Sequence, residues 1–415
     1  MKEQTFKNDT YNLYTIKTGK FKTGLLEVEF YIPYTEVRES YISLLINMLT
    51  SENKIYKTSK ELNKKLKNLY NANIYGETNR VGETLITSIG IEFIDLKYTD
   101  IKIEDIIKFL MDSIFKPNIK NDEFNEESLL NNKNKLKQDI NDLIESPKEE
   151  SIYRALNILD KDKPFSKIAS GNINILDSIT PKKLYEFYNW FIQHSKKDIY
   201  IIGDFDMEKI NTIISRQVKF NSISTTDYKF YLDYIPFKKV IKTHIPKENV
   251  ETNLVLIYTF KFLSDYEEEY VFPLFNLIFG SGSLNSKLYN TLRTENNLCY
   301  NVSSIYQRYD RLLIVHTQID KNSKDLTIKL CKKVLLEMQK ISDKELEDAK
   351  KMIIMSLNLT LDNEERLIDN YCFKNMGLLD NLEKRIEIFK KVDTKDIVAL
   401  AKKIKLISIT SLGDK

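Results

Sequence analysis

One order of elements, met twice, constrains this chain more than any other feature of its sequence. Hydrophobic alternation predicts strands at residues 11–16 and 25–32, the second with Leu26, Val28, Phe30 and Ile32 on one face and closed by Pro33. Helical periodicity follows at 38–49 and again at 59–70, where Leu62, Leu66 and Leu69 form one stripe and Ser59 is the expected cap. A strand pair at 72–80 and 83–92 turns through Val81-Gly82, and helices are expected at 103–115, 123–144 and 149–159. Thr180-Pro181 opens another helix, because proline suits the first helical position, and an apolar strand at 198–202 ends at Gly203. From residue 253 the order restarts. A strand at 253–260, helices at 270–279 and 285–293, and a strand pair at 298–306 and 312–318 lead into helices at 326–338, 343–359, 366–376, 382–390 and 394–401, with a closing strand at 406–411. Strand, two helices, strand pair, several helices, strand, twice over, predicts a duplicated α+β domain. The repeats are placed at 1–220 and 228–415, joined near the polar run NSISTTD at 221–227.

A chain of 415 residues is long enough for two such cores. Its 63 Lys and Arg stand against 60 Asp and Glu, so it carries no nucleic-acid footprint. Cys299, Cys331 and Cys372 lie in apolar contexts without paired spacing and read as buried reduced thiols. The polar start MKEQTFKNDTYN offers no export signal, and the apolar run at 42–49 is interrupted by Ser43 and Asn47 and too short to span a bilayer. The expected location is the cytoplasm, away from membranes.

Residues 279–309, FGSGSLNSKLYNTLRTENNLCYNVSSIYQRY, look built for a site. Gly280 and Gly282 sit two apart although only four of eleven glycines lie beyond residue 203, which predicts an unusual backbone turn. A short helix follows, capped by Ser283 or Asn285, with Leu284, Leu288 and Leu292 as its buried stripe and Arg293 closing it. The next segment alternates like a strand, with Tyr300 and Val302 on one face and Cys299 and Asn301 on the other. Arg293 and Tyr300 are thus expected to reach one patch of space. A guanidinium donates to peptide carbonyls or carboxylates, and a phenol donates to a developing oxyanion. The plainer reading is a helix-end arginine and an ordinary strand aromatic.

The block resembles the signature of the second domain of insulinase-type (pitrilysin-type) zinc peptidases. The elements that carry the resemblance are Gly280, Gly282, Ser286, Leu288, Tyr289, Leu292, Arg293, Leu298, Cys299 and Tyr300. The resemblance implies an α+β fold of two homologous insulinase-type domains, each an antiparallel-rich sheet flanked by helices. It also implies that Arg293 and Tyr300 hold substrate opposite a metal. Residues 180–210 resemble the end of the family's first repeat, an aromatic-faced helix leading into a strand that ends in Gly-Asp.

An active member carries H-x-x-E-H on its first long helix, two histidines for zinc and a glutamate to activate water. Here the corresponding stretch, residues 43–48, reads SLLINM. The three histidines, His194, His244 and His316, are widely separated. His194 reads as the end of a helix, His244 as part of a linker strand and His316 as mid-strand. Asp139, Asp142 and Glu145 fall on the long helix where the family's third ligand is expected, and without histidines they read as a solvated face. No Ser-His-Asp set, Cys-His pair or P-loop can be assembled. The resemblance therefore implies a chain with no catalytic residue and no metal of its own. It looks like the zinc-less subunit of a two-component bacterial peptidase, in which a homologous zinc-bearing partner closes with it around a peptide substrate. Two rivals stay open: an inactive scaffold with the same fold, and a self-sufficient peptidase with an unorthodox metal site.

Overall fold

The most apolar strands of the two repeats, LLEVEFYI and NLVLIYTF, become the centres of two separate sheets. The computed structural model describes residues 1–218, 227–236, 239–248, 251–261 and 263–413, with the side chain of Ser283 excepted. The join expected at 221–227 lies, apart from Asp227, outside the described residues.

The strands of the first repeat are β1 (Lys2–Lys7), β2 (Asn12–Lys17), β3 (Thr23–Pro33), β4 (Asn73–Val81), β5 (Thr84–Ile94), the short hairpin β6 (Ile119–Lys120) and β7 (Glu123–Phe124), and β8 (Lys196–Gly203). Its helices are α1 (Glu36–Ser51), α2 (Ser59–Asn68), α3 (Ile103–Phe115), α4 (Glu126–Glu145), α5 (Pro147–Leu159), α6 (Ile173–Ser178), α7 (Pro181–His194) and α8 (Met207–Gln217). The second repeat has strands β9 (Ile241–Ile245), β10 (Thr252–Phe260), β11 (Cys299–Gln307), β12 (Leu312–Ile319) and β13 (Ile404–Leu412). Its helices are α9 (Phe272–Asn276), α10 (Lys287–Tyr289), α11 (Lys324–Glu337), α12 (Asp343–Thr360), α13 (Glu364–Asn375), α14 (Leu382–Lys391) and α15 (Thr394–Lys403). Among the described residues no helix is long and apolar enough to cross a membrane.

The sheets carry the duplication in their connectivity. The first runs β1-β2-β8-β3-β5-β4 and the second β9-β13-β10-β12-β11. In each, the first pair after the optional edge is parallel (β2 with β8, β9 with β13) and the remaining neighbours are antiparallel. Two homologous α+β domains, each an antiparallel-rich sheet flanked by helices, is thus the architecture. By contact the described chain divides into residues 1–142 with 167–230, and residues 143–166 with 231–415.

In the second unit, alternation along β10 sends Leu254, Leu256, Tyr258 and Phe260 to a core shared with Phe272, Phe275 and Phe279. The opposite face, Val255, Ile257, Ile314 and Ile407, is covered by Ile152, Ala155 and Leu156 of α5. In the first unit Phe191 of α7 packs on Phe30 of β3 with ring centroids 4.8 Å apart.

Three local expectations are corrected. The N-terminal polar stretch supplies a strand, β1, whose loose alternation hides it from a hydrophobic pattern. Thr58, not Ser59, caps α2 by accepting the Glu61 amide. That helix stops at Asn68, and Tyr70 and Asn71 follow with φ of 57° and 58°.

Candidate functional site

The glycine turn is built by crowding. Gly280 and Gly282 both have ordinary negative-side backbone geometry, φ being −84° at Gly282. What glycine supplies here is not a positive φ but absence of a side chain. Residues Leu277–Ser281 form a wide π turn in which the Gly282 amide donates to the Leu277 carbonyl at 3.1 Å. A Cβ on Gly282 would lie 2.3 Å from that same carbonyl oxygen, and one on Gly280 would lie 2.7 Å from both Leu288 Cδ1 and Ser304 Oγ. Gly282→Ala is therefore expected to cost about 1–3 kcal/mol through overpacking that no rotamer change relieves. Denaturant melts of the full chain check it, and a wild-type midpoint would contradict the crowding.

Ser286 opens the next helix, its side chain accepting the Tyr289 amide at 3.4 Å, so the cap lies after Asn285, which sits in a preceding 3-10 turn. Leu288 and Leu292 are fully buried as expected, whereas Leu284 is 64% exposed because it precedes this cap and never joins the stripe. The helix widens into a second π turn, Asn290–Glu295, that carries Arg293. Asn297, at φ 49°, reverses the chain, a conformation asparagine accepts more readily than most residues.

Strand β11 then begins with a bulge. Cys299 pairs with Ile319 and Val302 with Thr317, so β11 spends one residue more than β12 across this stretch. The expected alternation is broken: Cys299 and Val302 are buried, and Tyr300 and Asn301 between them are exposed. Tyr300 is 82% exposed. Its ring centroid lies 5.2 Å from the Arg293 guanidinium carbon, within cation–π reach. Arg293 Nη1 donates to Asn297 Oδ1 at 3.2 Å and to the Cys299 carbonyl at 3.3 Å. Nε and Nη2 have no protein acceptor among the described residues, and neither has the Tyr300 hydroxyl a partner. The Nε and Nη2 donors of the half-buried guanidinium and the phenol of the exposed Tyr300 thus lie side by side without a protein acceptor among the described residues. Beneath them Ser304 donates to Asn276 Oδ1 at 2.6 Å, and Phe272 stacks on Tyr306 at 3.8 Å, fixing β11 to the helical layer. Burial pushes the Cys299 thiol up, away from reactivity.

Asn297 and the bulge were not read from sequence. The Glu-Asn-Asn run before Leu298 was the available signal for the reversal.

The stretch of α1 where the resemblance places a zinc motif offers no comparable set. Residues 43–48 lie on α1, and Met48 is packed under α4, where Asn132 Nδ2 approaches its sulfur at 3.3 Å and Ser128 Oγ at 3.8 Å. Ser128 and Asn132, and not Asp139, Asp142 or Glu145, are therefore the α4 residues that meet this part of α1. The three acids are exposed further along the helix. A thioether, an amide and a hydroxyl do not suit zinc. Among the described residues no three His, Cys, Asp or Glu side chains are grouped to hold a metal. His194 Nδ1 is bonded to the Trp190 carbonyl at the end of α7, His244 Nδ1 lies 3.1 Å from Ser411 Oγ, and His316 is buried with Nε2 3.0 Å from Asn253 Oδ1. Burial holds His316 down to about 4, so it is neutral at ordinary pH.

Comparison with known proteins agrees with this division. The profile of the "Peptidase M16 inactive domain" matches residues 178–353, which include the whole glycine turn, Arg293 and Tyr300. This stretch of the chain is similar to the M16 peptidase family. The chain is 24% identical over 406 residues to the "Probable inactive metalloprotease YmfF" of Bacillus subtilis, covering 94% of this chain and 93% of that one. A conserved protein from Enterococcus faecalis V583 shares the fold with a TM-score of 0.92 at 22% identity, over 100% of this chain and 99% of the other. The M16 inactive domain from Pseudomonas fluorescens gives 0.80 at 17% identity, again over 100% and 99%. The matched stretch contains Arg293 and Tyr300, and α1, which carries no histidine, lies outside it.

Proposed function

We propose that this chain is the non-catalytic, substrate-positioning subunit of a two-chain insulinase-like metallopeptidase that cleaves small peptides. The observation that carries the reading is the pairing of Arg293 with a bulge-exposed Tyr300. The pair lies in a chain whose α1 reads SLLINM over residues 43–48, where the resemblance places the metal motif. In this role Arg293 fixes a peptide carbonyl or carboxylate through its two free donors. Tyr300 donates to the scissile carbonyl oxygen as negative charge grows there. The partner is a homologous chain with H-x-x-E-H, and the metal that it holds supplies the activated water.

The test is reconstitution. This chain and a genomically adjacent H-x-x-E-H chain, purified separately, are expected to cleave an unfolded peptide only when mixed. Full-rate cleavage by the zinc-bearing chain alone would sink the reading and leave the second one, an inactive scaffold with the insulinase fold. The likeness to a relative described as a probable inactive metalloprotease favours that second reading.

A further inference from the structure

The two sheets differ by one strand. In the first, β1 closes the outer edge of β2, pairing antiparallel from Lys2↔Lys17 to Lys7↔Asn12, and Leu13, Thr15 and Ile16 of β2 are buried. In the second sheet β9 holds the place of β2, yet among the described residues no strand pairs with its outer side. None of its five residues is buried, and Ile241, Lys242 and His244 are exposed.

Two bonds give the direction of its unpaired backbone. The Gly413 amide donates to the Ile245 carbonyl at 3.1 Å, and the Lys247 amide donates to the Gly413 carbonyl at 3.4 Å. Successive residues of a strand point their peptide groups to opposite sides. Ile241, Thr243 and Ile245 therefore face β13, and the N–H and C=O of Lys242 and His244 face outward. Such an edge is a template for another chain, and a lysine on it discourages indiscriminate pairing.

A cleft of about 310 Å³ adjoins the edge, lined by Lys242, His244, Lys324, Asp325, Ile328 and Ile409 among others. Lys324 Nζ donates to Ser411 Oγ at 2.6 Å, and Lys242 has no carboxylate partner among the described residues. Two ammonium groups thus stand against one carboxylate over an isoleucine floor.

We infer that β9 takes a sixth strand from outside the sheet: an extended peptide of five or six residues, antiparallel to β9 as β1 is to β2. Main-chain bonds to Lys242 and His244 hold it, and an acidic side chain of the peptide meets Lys242 and Lys324. The site lies four strand spacings, roughly 19 Å, from the edge that bears Tyr300 and does not depend on the role of that residue.

Fluorescence anisotropy of the full chain with a labelled octapeptide of alternating Val and Glu tests the inference. Saturable binding is expected, weakened roughly tenfold or more by lysines in place of the glutamates, by N-methylation of the peptide's edge amides, and by Lys242→Glu. His244→Pro removes one outward N–H while sparing the backbone bonds to β13, though not the side-chain bond to Ser411, and is expected to weaken binding similarly. Should His244→Pro lower the thermal midpoint, Lys242→Glu and the N-methylated peptide decide. Equal affinity for the Glu and Lys peptides, wild-type binding by a stably folded His244→Pro, or no saturation overturns the inference. So does dimerisation of the free chain that Lys242→Glu abolishes, which would give the edge to a second copy.

Discussion

In the reconstituted pair of chains, Tyr300→Phe is expected to lower kcat by about a hundredfold, the usual loss when one donor to a developing oxyanion is removed. The ring stays, so its packing beside Arg293 is kept and only the hydroxyl is lost. KM is expected to change little, because the bond strengthens as the carbonyl oxygen gains charge and contributes less in the ground state. Arg293→Ala is expected to raise KM as well, since it removes donors to groups that are already polar in the bound peptide. Arg293→Lys restores little of this: an ammonium cannot bond Asn297 and the Cys299 carbonyl and still present a planar fork outward. Initial rates over a range of peptide concentration separate the effects. Co-elution of the two chains by size exclusion should be unchanged. A Tyr300→Phe pair that cleaves at the wild-type rate would remove the phenol from the mechanism and with it the chief support for a substrate-positioning subunit.

The features that were legible in the sequence are those written in short-range periodicity. Alternation along β3 and β10 and the four-residue stripes of the helices gave the duplicated order, because each buried face must repeat with the period of its element. The site was legible in part, as a turn, a helix and a strand start that bring Arg293 and Tyr300 to one patch. Arg293 and Tyr300 stood out, but the bulge that turns Tyr300 outward depends on how β11 registers against β12, and register is a property of two strands. The glycines were rightly singled out for the wrong cause: crowding against Leu277, Leu288 and Ser304 is long-range information, invisible beside a dihedral argument. The same limit hid the polar partners of Met48, which come from α4 some eighty residues later in the chain. Strand β1 escaped because a strand at the rim of a sheet buries too little to show alternation.

Arg308, at the turn that follows β11, is expected to matter more for stability than any residue of the exposed pair. Its side chain is 12% exposed, with Nε 3.9 Å from the Glu268 carboxylate, Nη1 donating to the Leu378 carbonyl at 3.1 Å, and its guanidinium over the rings of Tyr231 and Tyr309. Glu268 is itself buried, and burial holds its carboxyl above the ordinary range despite the pull of Arg308 and Arg311. Arg308→Met keeps the bulk and removes the larger of the two cationic pulls, leaving a buried carboxylate with Arg311 alone to offset its charge. Breaking a buried pair in this way costs about 3–5 kcal/mol. The cost must depend on pH. A carboxyl whose folded value is raised favours the native state below its unfolded value and withdraws that support as pH climbs through the folded one. In the variant the folded value moves further up, so the loss is smallest at low pH and grows as pH rises through the raised folded range. Urea melts of the full chain at pH 4 and pH 7.5 measure the difference, and Arg308→Met with Glu268→Gln should recover most of it at the higher pH. A deficit of equal size at both pH values would mean that lost packing against Tyr231 and Tyr309, and not the stranded charge, is what Arg308 prevents.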